Sequence, residues 1–189
     1  MSRLPHDASG MTAQVAAHEA LVSWTPPSVQ QERLRDDFVR CLESHRDSCD
    51  RSGRPDHLTA SALVIDGEGT RVLLGLHRKV GRWLQFGGHI ESGDRSLADA
   101  ALREACEESG IAELTLLSDG PARLDRHRAP CGGGARYHLD VQFVAVSPAG
   151  AEPTASAESL EVAWFLPDAL PQHTDDAVRA LVAHAVRLR

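Results

Sequence analysis

Residues 87–111 read GGHIESGDRSLADAALREACEESGI, a glycine-rich turn running into a segment with helical spacing. Ser96 is a natural N-cap with Asp99 three residues on, and the pattern predicts a helix over 96–109. At about 100° per residue, Glu104, Glu107 and Glu108 share one stripe, beside an apolar stripe of Ala98, Ala101, Leu102 and Ala105. Carboxylates at i, i+3 and i+4 repel by a few tenths of a kcal/mol per pair, roughly, which calls for a compensating charge. A hard divalent cation such as Mg²⁺ supplies it, because it takes oxygen ligands and keeps part of its shell for water and phosphate.

Acid-rich helix faces are commonly no more than solvated surface, so the flanks decide. The string resembles the Nudix box, Gly-x5-Glu-x7-Arg-Glu-apolar-x-Glu-Glu-x-Gly-apolar, in Gly88, Arg103, Glu104, Glu107, Glu108, Gly110 and Ile111. Asp94 stands where Glu is usual, eight residues rather than seven separate it from Arg103, and small Ala105 takes an apolar position. The extra residue lengthens the loop or first helical turn and leaves the Arg103–Ile111 end intact. It weakens the role that can be given to Asp94. Residues 81–85 with 87–89, and 138–141, also look like a bacterial Nudix subgroup of unassigned substrate.

The resemblance implies an α/β (α+β) fold, an α/β/α sandwich around a mixed sheet over 57–189, with residues 1–56 as an N-terminal helical extension. It also implies a Mg²⁺-dependent hydrolase, with Mn²⁺ as an alternative ion, cutting a phosphoanhydride bond in a nucleoside diphosphate derivative or a nucleoside triphosphate. Glu104 and Glu108 would bind metal directly, Glu107 directly or through water, and the Gly87 carbonyl would add a ligand. Arg103 would orient the glutamates, with Asp94 as its partner. The implied chemistry is neutralisation of diphosphate oxygens and in-line attack of an activated water on phosphorus. A glutamate outside the box often assists; Glu158 is the candidate, with Glu161 behind it and a plain solvated loop acid as the alternative. A nucleotide-sensing or regulatory Nudix domain is the competing reading, and the complete set of box acids favours the enzyme. An isomerase of isoprenoid diphosphates would need cysteine and glutamate chemistry with no evident place in this chain.

Arg78, Lys79 and Arg82 flank the loop before the box and suit phosphate, which arginine grips bidentately, or are solvated charge. His89 follows the box glycines, to reach substrate or to order the loop. His138 shares a strand face with Asp140, an arrangement that serves metal or acid–base sites and more often a structural pair. Trp83 is a base-stacking or packing residue, Arg126–Arg128 and Arg136–His138 are candidate cleft linings, and Cys106, on the helix face away from the acids, is structural.

Composition bounds these readings. The chain has 189 residues, 42% hydrophobic and 25% charged, with a formal charge of −7, which fits one soluble globular domain plus a terminal segment. The acidic balance speaks against nucleic acid as main partner and leaves a small diphosphate as the expected one. Four cysteines without a Cys-x-x-Cys pair fit a reducing cytoplasm. No apolar run reaches the roughly 20 residues of a membrane span, and no signal peptide is evident.

Elsewhere the pattern predicts a frayed start, a helix over 11–22, and an amphipathic helix after Ser28, with Gln31 as capping-box partner and Leu34, Phe38, Cys41 and Leu42 along one face. Residues 47–56 read as a connector. A hairpin of strands 58–66 and 70–77 follows, then a loop over 81–88, short strands at 114–118 and 122–127, and a loop at 131–134. Strand 136–147 sends Tyr137, Leu139, Val141, Phe143 and Ala145 to one face and His138, Asp140 and Gln142 to the other. A strand at 160–166 and a last helix capped by Thr174, with Val178, Leu181, Val182, Ala185 and Val186 on one face, complete the chain. The N-terminal helices would cover their own domain or a partner subunit, which makes a homodimer one arrangement to consider.

Overall fold

A computed structural model describes residues 8–51, 56–129 and 136–188. In chain order the elements are α1 (Ala8–Ser23), α2 (Val29–Ser44), β1 (Asp56–Ile65), β2 (Val72–His77), β3 (Trp83–Leu84), β4 (Phe86–His89), α3 (Leu97–Ser109), β5 (Thr115–Leu116), β6 (Arg123–Ala129), β7 (Arg136–Val146), β8 (Ser159–Phe165) and α4 (Asp176–Arg187). The stretch 81–88, expected as loop, instead holds β3 and most of β4: two and four residues are too short to show a period. The loop expected at 131–134 lies outside the described residues.

The eight strands form one mixed sheet centred on β1, which runs parallel to β7 and antiparallel to β2 and β4; β6 and β5 flank β7, and β8 and β3 flank β2. The long β1–β7 ladder, from Asp56↔Tyr137 to Ile65↔Val146, fixes which side chains share a face. Leu58, Ala60, Ala62 and Val64 with Leu139, Val141, Phe143 and Ala145 meet α1, α2 and α3 in the larger core. Leu63, Ile65, Val144, Val72 and Leu74 meet Val178, Leu181, Val182 and Ala185 of α4 on the other side. Helices on both faces of a mixed sheet make the α/β/α sandwich.

Both N-terminal helices pack on this chain's own domain, α2 against β6 and α1 against α2 and α3, burying Ala17 and Leu21 of α1 and Phe38 and Leu42 of α2. Ser28 caps α2 by accepting from Gln31 N, but the Gln31 side chain does not close the capping box. It is buried and bonds the β6 edge twice, donating to Leu124 O at 2.9 Å and accepting from Leu124 N at 2.7 Å. One amide thus replaces a strand partner, which satisfies two main-chain groups that burial would otherwise penalise. Gln31→Ala should lower stability by about 1–3 kcal/mol by orphaning them. Urea unfolding of the pair of proteins measures this, and an unchanged midpoint would refute the role.

The β1–β2 turn is organised by buried Asp66. Its carboxylate accepts from Thr70 N (2.6 Å), Thr70 Oγ1 (3.0 Å), Arg71 N (3.0 Å) and Arg71 Nε (2.9 Å), while Gly69 takes φ 74° to turn the chain. Burial pushes this carboxyl up, but the Arg71 and Thr70 hydrogen bonds outweigh it and hold the pKa at about 2. A lowered folded-state pKa stabilises above the unfolded value of 3.8 and loses that contribution as pH falls through about 2. Asp66→Asn should therefore destabilise at neutral pH, with the gap to the parent closing as pH is lowered toward 2. Thermal melts across that range test it.

The last helix begins one residue later than the sequence pattern implies. Asp175, not Thr174, is the N-cap, accepting from Val178 N at 2.9 Å, whereas Thr174 is buried and bridges to Trp83. Val186, placed on the apolar face from its spacing, is 52% exposed, and His184 is buried in its stead. Among the described residues no helix is long and apolar enough to cross a membrane, and Cys41, Cys49 and Cys106 are free thiols.

Candidate active site

Helix α3 lies against β1 and β4 through Leu97, Ala100, Ala101 and Ala105. The small side chains, Ala105 included, let the helix approach the sheet closely. Ser96 caps its start, accepting from Asp99 N at 3.0 Å, and Gly110 ends it at φ 71° with its N–H on Cys106 O. A Cβ at Gly110 would also stand 2.9 Å from Thr154, so this position combines a left-handed backbone with close contact. Cys106 is half-buried and bonds Ala112 O weakly at 3.7 Å, away from the acids.

The glycines ahead of the helix are required by contact, not by φ. A Cβ on Gly87 would fall 2.6 Å from Ser61 Cα on β1, and one on Gly88 would fall 2.5 Å from Glu104 Oε1. Gly88 therefore leaves the space that the Glu104 carboxylate occupies.

Arg103 ties the loop to the helix. Its Nε and NH2 donate to the two oxygens of Asp94 at 3.0 and 2.9 Å, NH2 also donates to His89 O at 3.0 Å, and NH1 reaches Glu104 at 3.0 Å and Glu107 at 3.4 Å. The Asp94 contact holds the guanidinium charged even more firmly than usual, against the opposing effect of burial, with Glu104 adding to it. Asp94 is 6% exposed and also accepts from Glu91 N at 2.8 Å. The extra residue falls between Asp94 and Arg103, and the shorter acid still meets Arg103 through both of its oxygens.

Glu108 stands at the centre of the acids. Burial, then the charges of Glu104 and Glu158, push its carboxyl up to about 8 despite a hydrogen bond from the Gly87 backbone, and Glu107 adds to the push. Burial likewise raises Glu104, opposed by Arg103 and reinforced by Glu107 and Glu158. Carboxylates from two distant parts of the chain thus lie near enough for their charges to act on one another. Glu107, with 62% of its side chain exposed, and Glu158 are the exposed members. Glu158 comes from the turn before β8; Glu161, farther along that strand, is exposed.

Arg78 secures that turn. Its Nε donates to Ala157 O at 3.0 Å and its NH2 to Ser159 O at 3.3 Å, while its backbone N–H donates to Glu158 O at 2.8 Å. The guanidinium considered for phosphate is thus engaged with main chain next to Glu158. Lys79 and Arg82 are exposed in the 78–82 turn. Trp83 packs edge-on against Phe165, ring centroids 4.9 Å apart, beside the α4 core, as a packing residue does.

His89 and His138 lie on the other face of the sheet from α3. There β1 alternates His57, Thr59 and Ser61 with apolar residues, and β7 sets His138, Asp140 and Gln142 beside them. Asp140 is buried and accepts from Thr59 Oγ1 at 3.0 Å and Ser61 Oγ at 2.7 Å. Its burial raises the carboxyl pKa, with His127 and the two hydroxyls opposing. Burial lowers His89 to about 4, with Arg51 and His57 adding, and lowers His138 to about 3, with His127 foremost among the neighbouring charges. His57, fully buried, is absent from the residues singled out in the sequence. The period-two run from His57 to Ala62 was the available signal, and the register with β7 gives it meaning.

The family model for the NUDIX domain matches residues 55–185. The chain belongs to the NUDIX family, and α1 and α2 precede the matched region. A NUDIX-family hydrolase from Clostridium perfringens superposes with a TM-score of 0.59 at 24% identity, over 70% of this chain and 97% of that one. A C. elegans Ap4A hydrolase in a binary complex gives 0.59 at 18% identity, covering 69% and 95%. The E. coli dihydroneopterin triphosphate pyrophosphohydrolase gives 0.55 at 20% identity, covering 68% and 92%. At these identities the likeness is one of fold. No curated protein sequence matches the chain.

Proposed function

We propose that this protein hydrolyses a phosphoanhydride bond in a nucleoside diphosphate derivative or a nucleoside triphosphate, using Mg²⁺ or Mn²⁺. The observation that carries the reading is that Glu107 and Glu108 of α3, with Glu158 from the turn before β8, act through their charges on one another and on Glu104. The donor set fits the ion: hard carboxylate oxygens, mutually repelling, beside a glycine whose missing side chain leaves room for the Glu104 carboxylate. Glu104 and Glu108 would hold the ion, with Glu107 and the Gly87 carbonyl completing the protein's share. When bound, a divalent ion neutralises diphosphate oxygens and activates the attacking water.

The rest falls to the chain. Arg103 fixes Glu104 and the His89 carbonyl relative to Asp94, so loop and helix present one geometry. Glu158, in the turn that the Arg78 contacts anchor, would take the proton of the attacking water. Lys79 and Arg82 at the rim would meet the phosphates. The names of the neighbours, for Ap4A and for dihydroneopterin triphosphate, support small phosphorylated substrates of this class.

The test is phosphate or nucleotide release across a panel of nucleoside triphosphates, nucleotide sugars and dinucleotides with Mg²⁺ or Mn²⁺. Turnover of at least one, abolished by chelator, is expected. Tight nucleotide binding without cleavage of any would overturn the proposal in favour of a sensing role.

A further inference from the structure

Four adjacent strands, in the order β4, β1, β7, β6, carry a row of histidines across the sheet face opposite α3. His57 and His138 are register partners on β1 and β7, His138 and His127 are partners on β7 and β6, and His89 on β4 sits opposite Thr59, two residues along from His57. In three of them the rings converge: centroids are 5.2 Å apart for His57 and His89, 5.0 Å for His57 and His138, and 5.1 Å for His89 and His138. One ring nitrogen from each lies within 4.8 Å of the other two. The Nε2 atom of His89 is buried without a hydrogen-bond partner.

We infer that His57, His89 and His138 form a second metal site, separate from the carboxylates and selective for a transition ion of the Zn²⁺ type. Imidazole nitrogen is a ligand for Zn²⁺, Co²⁺, Ni²⁺ and Cu²⁺, whereas Mg²⁺ takes oxygen. Around a tetrahedral ion bound at roughly 2.0–2.1 Å, nitrogens stand about 3.3 Å apart, so closure onto the ion needs side-chain movements on the order of 1 Å. The backbone is already in place, because the β1–β7 and β1–β4 ladders hold the three residues on one face. His127, its ring held by Asp125 at 2.8 Å, closes the row 5.4 Å from His138. Three protein nitrogens leave a position for water or a small anion, and Arg51, whose charge acts on both His89 and His138, favours the anion.

The experiment titrates metal-stripped full-length protein with Zn²⁺ in saturating Mg²⁺, and with Co²⁺ as a spectroscopic probe. The parent should bind a single tight equivalent of Zn²⁺. Its X-ray absorption should show nitrogen and oxygen ligation with imidazole scattering, and the Co²⁺ form should show visible ligand-field bands without a thiolate charge-transfer band, which excludes Cys41 and Cys49. His138→Ala and His89→Ala should each weaken Zn²⁺ binding by at least ~10-fold, with circular dichroism of the metal-free proteins reporting folding. Glu108→Gln should keep the equivalent, which separates this inference from the proposed hydrolase site. Absence of tight Zn²⁺ in the parent, sulfur ligation, or loss of the equivalent in Glu108→Gln would each overturn it, and the first two need no variant.

Discussion

Glu108→Gln should lower kcat by at least about 100-fold, beyond the ~10–100-fold typical of substitutions outside the direct metal ligands, while leaving the fold as stable as the parent or more so. Glutamine has the shape of glutamate and can still accept the hydrogen bond from the Gly87 backbone. What it removes is the charge at the centre of the cluster, where burial and the carboxylates of Glu104 and Glu158 already disfavour ionisation. In the metal-free protein that charge is a cost, so its removal relieves repulsion and the melting temperature should hold or rise. With a metal bound at the proposed site the same charge would be a ligand, so the variant should require more Mg²⁺ for half-maximal rate. Opposite signs on stability and activity distinguish a functional acid from a structural one, whose loss lowers both. A variant that turned over as fast as the parent would end the assignment of α3 as the metal-binding element.

The α3 end of this site was readable in the sequence because it is local. Ser96, Arg103, the three glutamates and Gly110 stand within fifteen residues, and helical geometry alone brings their side chains into order. Glu158 could be named only by analogy: it lies 50 residues beyond Glu108, and its approach depends on β8 pairing with β2 and on Arg78 binding the turn. The histidine row was less legible still. His138 was visible as a strand residue beside Asp140, but its convergence with His57 and His89 is a product of a parallel pairing across 81 positions and an antiparallel one through β4. Alternation predicts that such residues share a face without saying which strands meet. Gln31 shows the same limit from another side. Its spacing from Ser28 matched a capping box, yet the buried β6 edge offered its side chain two unpaired main-chain groups, and tertiary demand won.

Arg103→Ala should cost about 3–5 kcal/mol of stability, the range for breaking a buried ion pair from one side. Asp94 is almost wholly enclosed, and Arg103 meets both of its oxygens. Removal of the guanidinium leaves that carboxylate, among the described residues, with only the Glu91 N–H, and it releases the His89 carbonyl and Glu104 at once. Arg103→Lys should recover only part of the loss, since one ammonium cannot span Asp94, His89 O and Glu104 with the fixed fork of arginine. The double variant Arg103→Ala/Asp94→Asn separates buried charge from lost packing. With no stranded carboxylate, it should be more stable than Arg103→Ala alone, and a cycle of urea midpoints gives the coupling directly. If the double variant were no more stable than the single, the penalty would lie in the stem's packing and the Asp94 pairing would contribute little. Activity should stay low in all three, because a carboxylate cluster that folds without Arg103 has lost the group that fixes Glu104 against the loop.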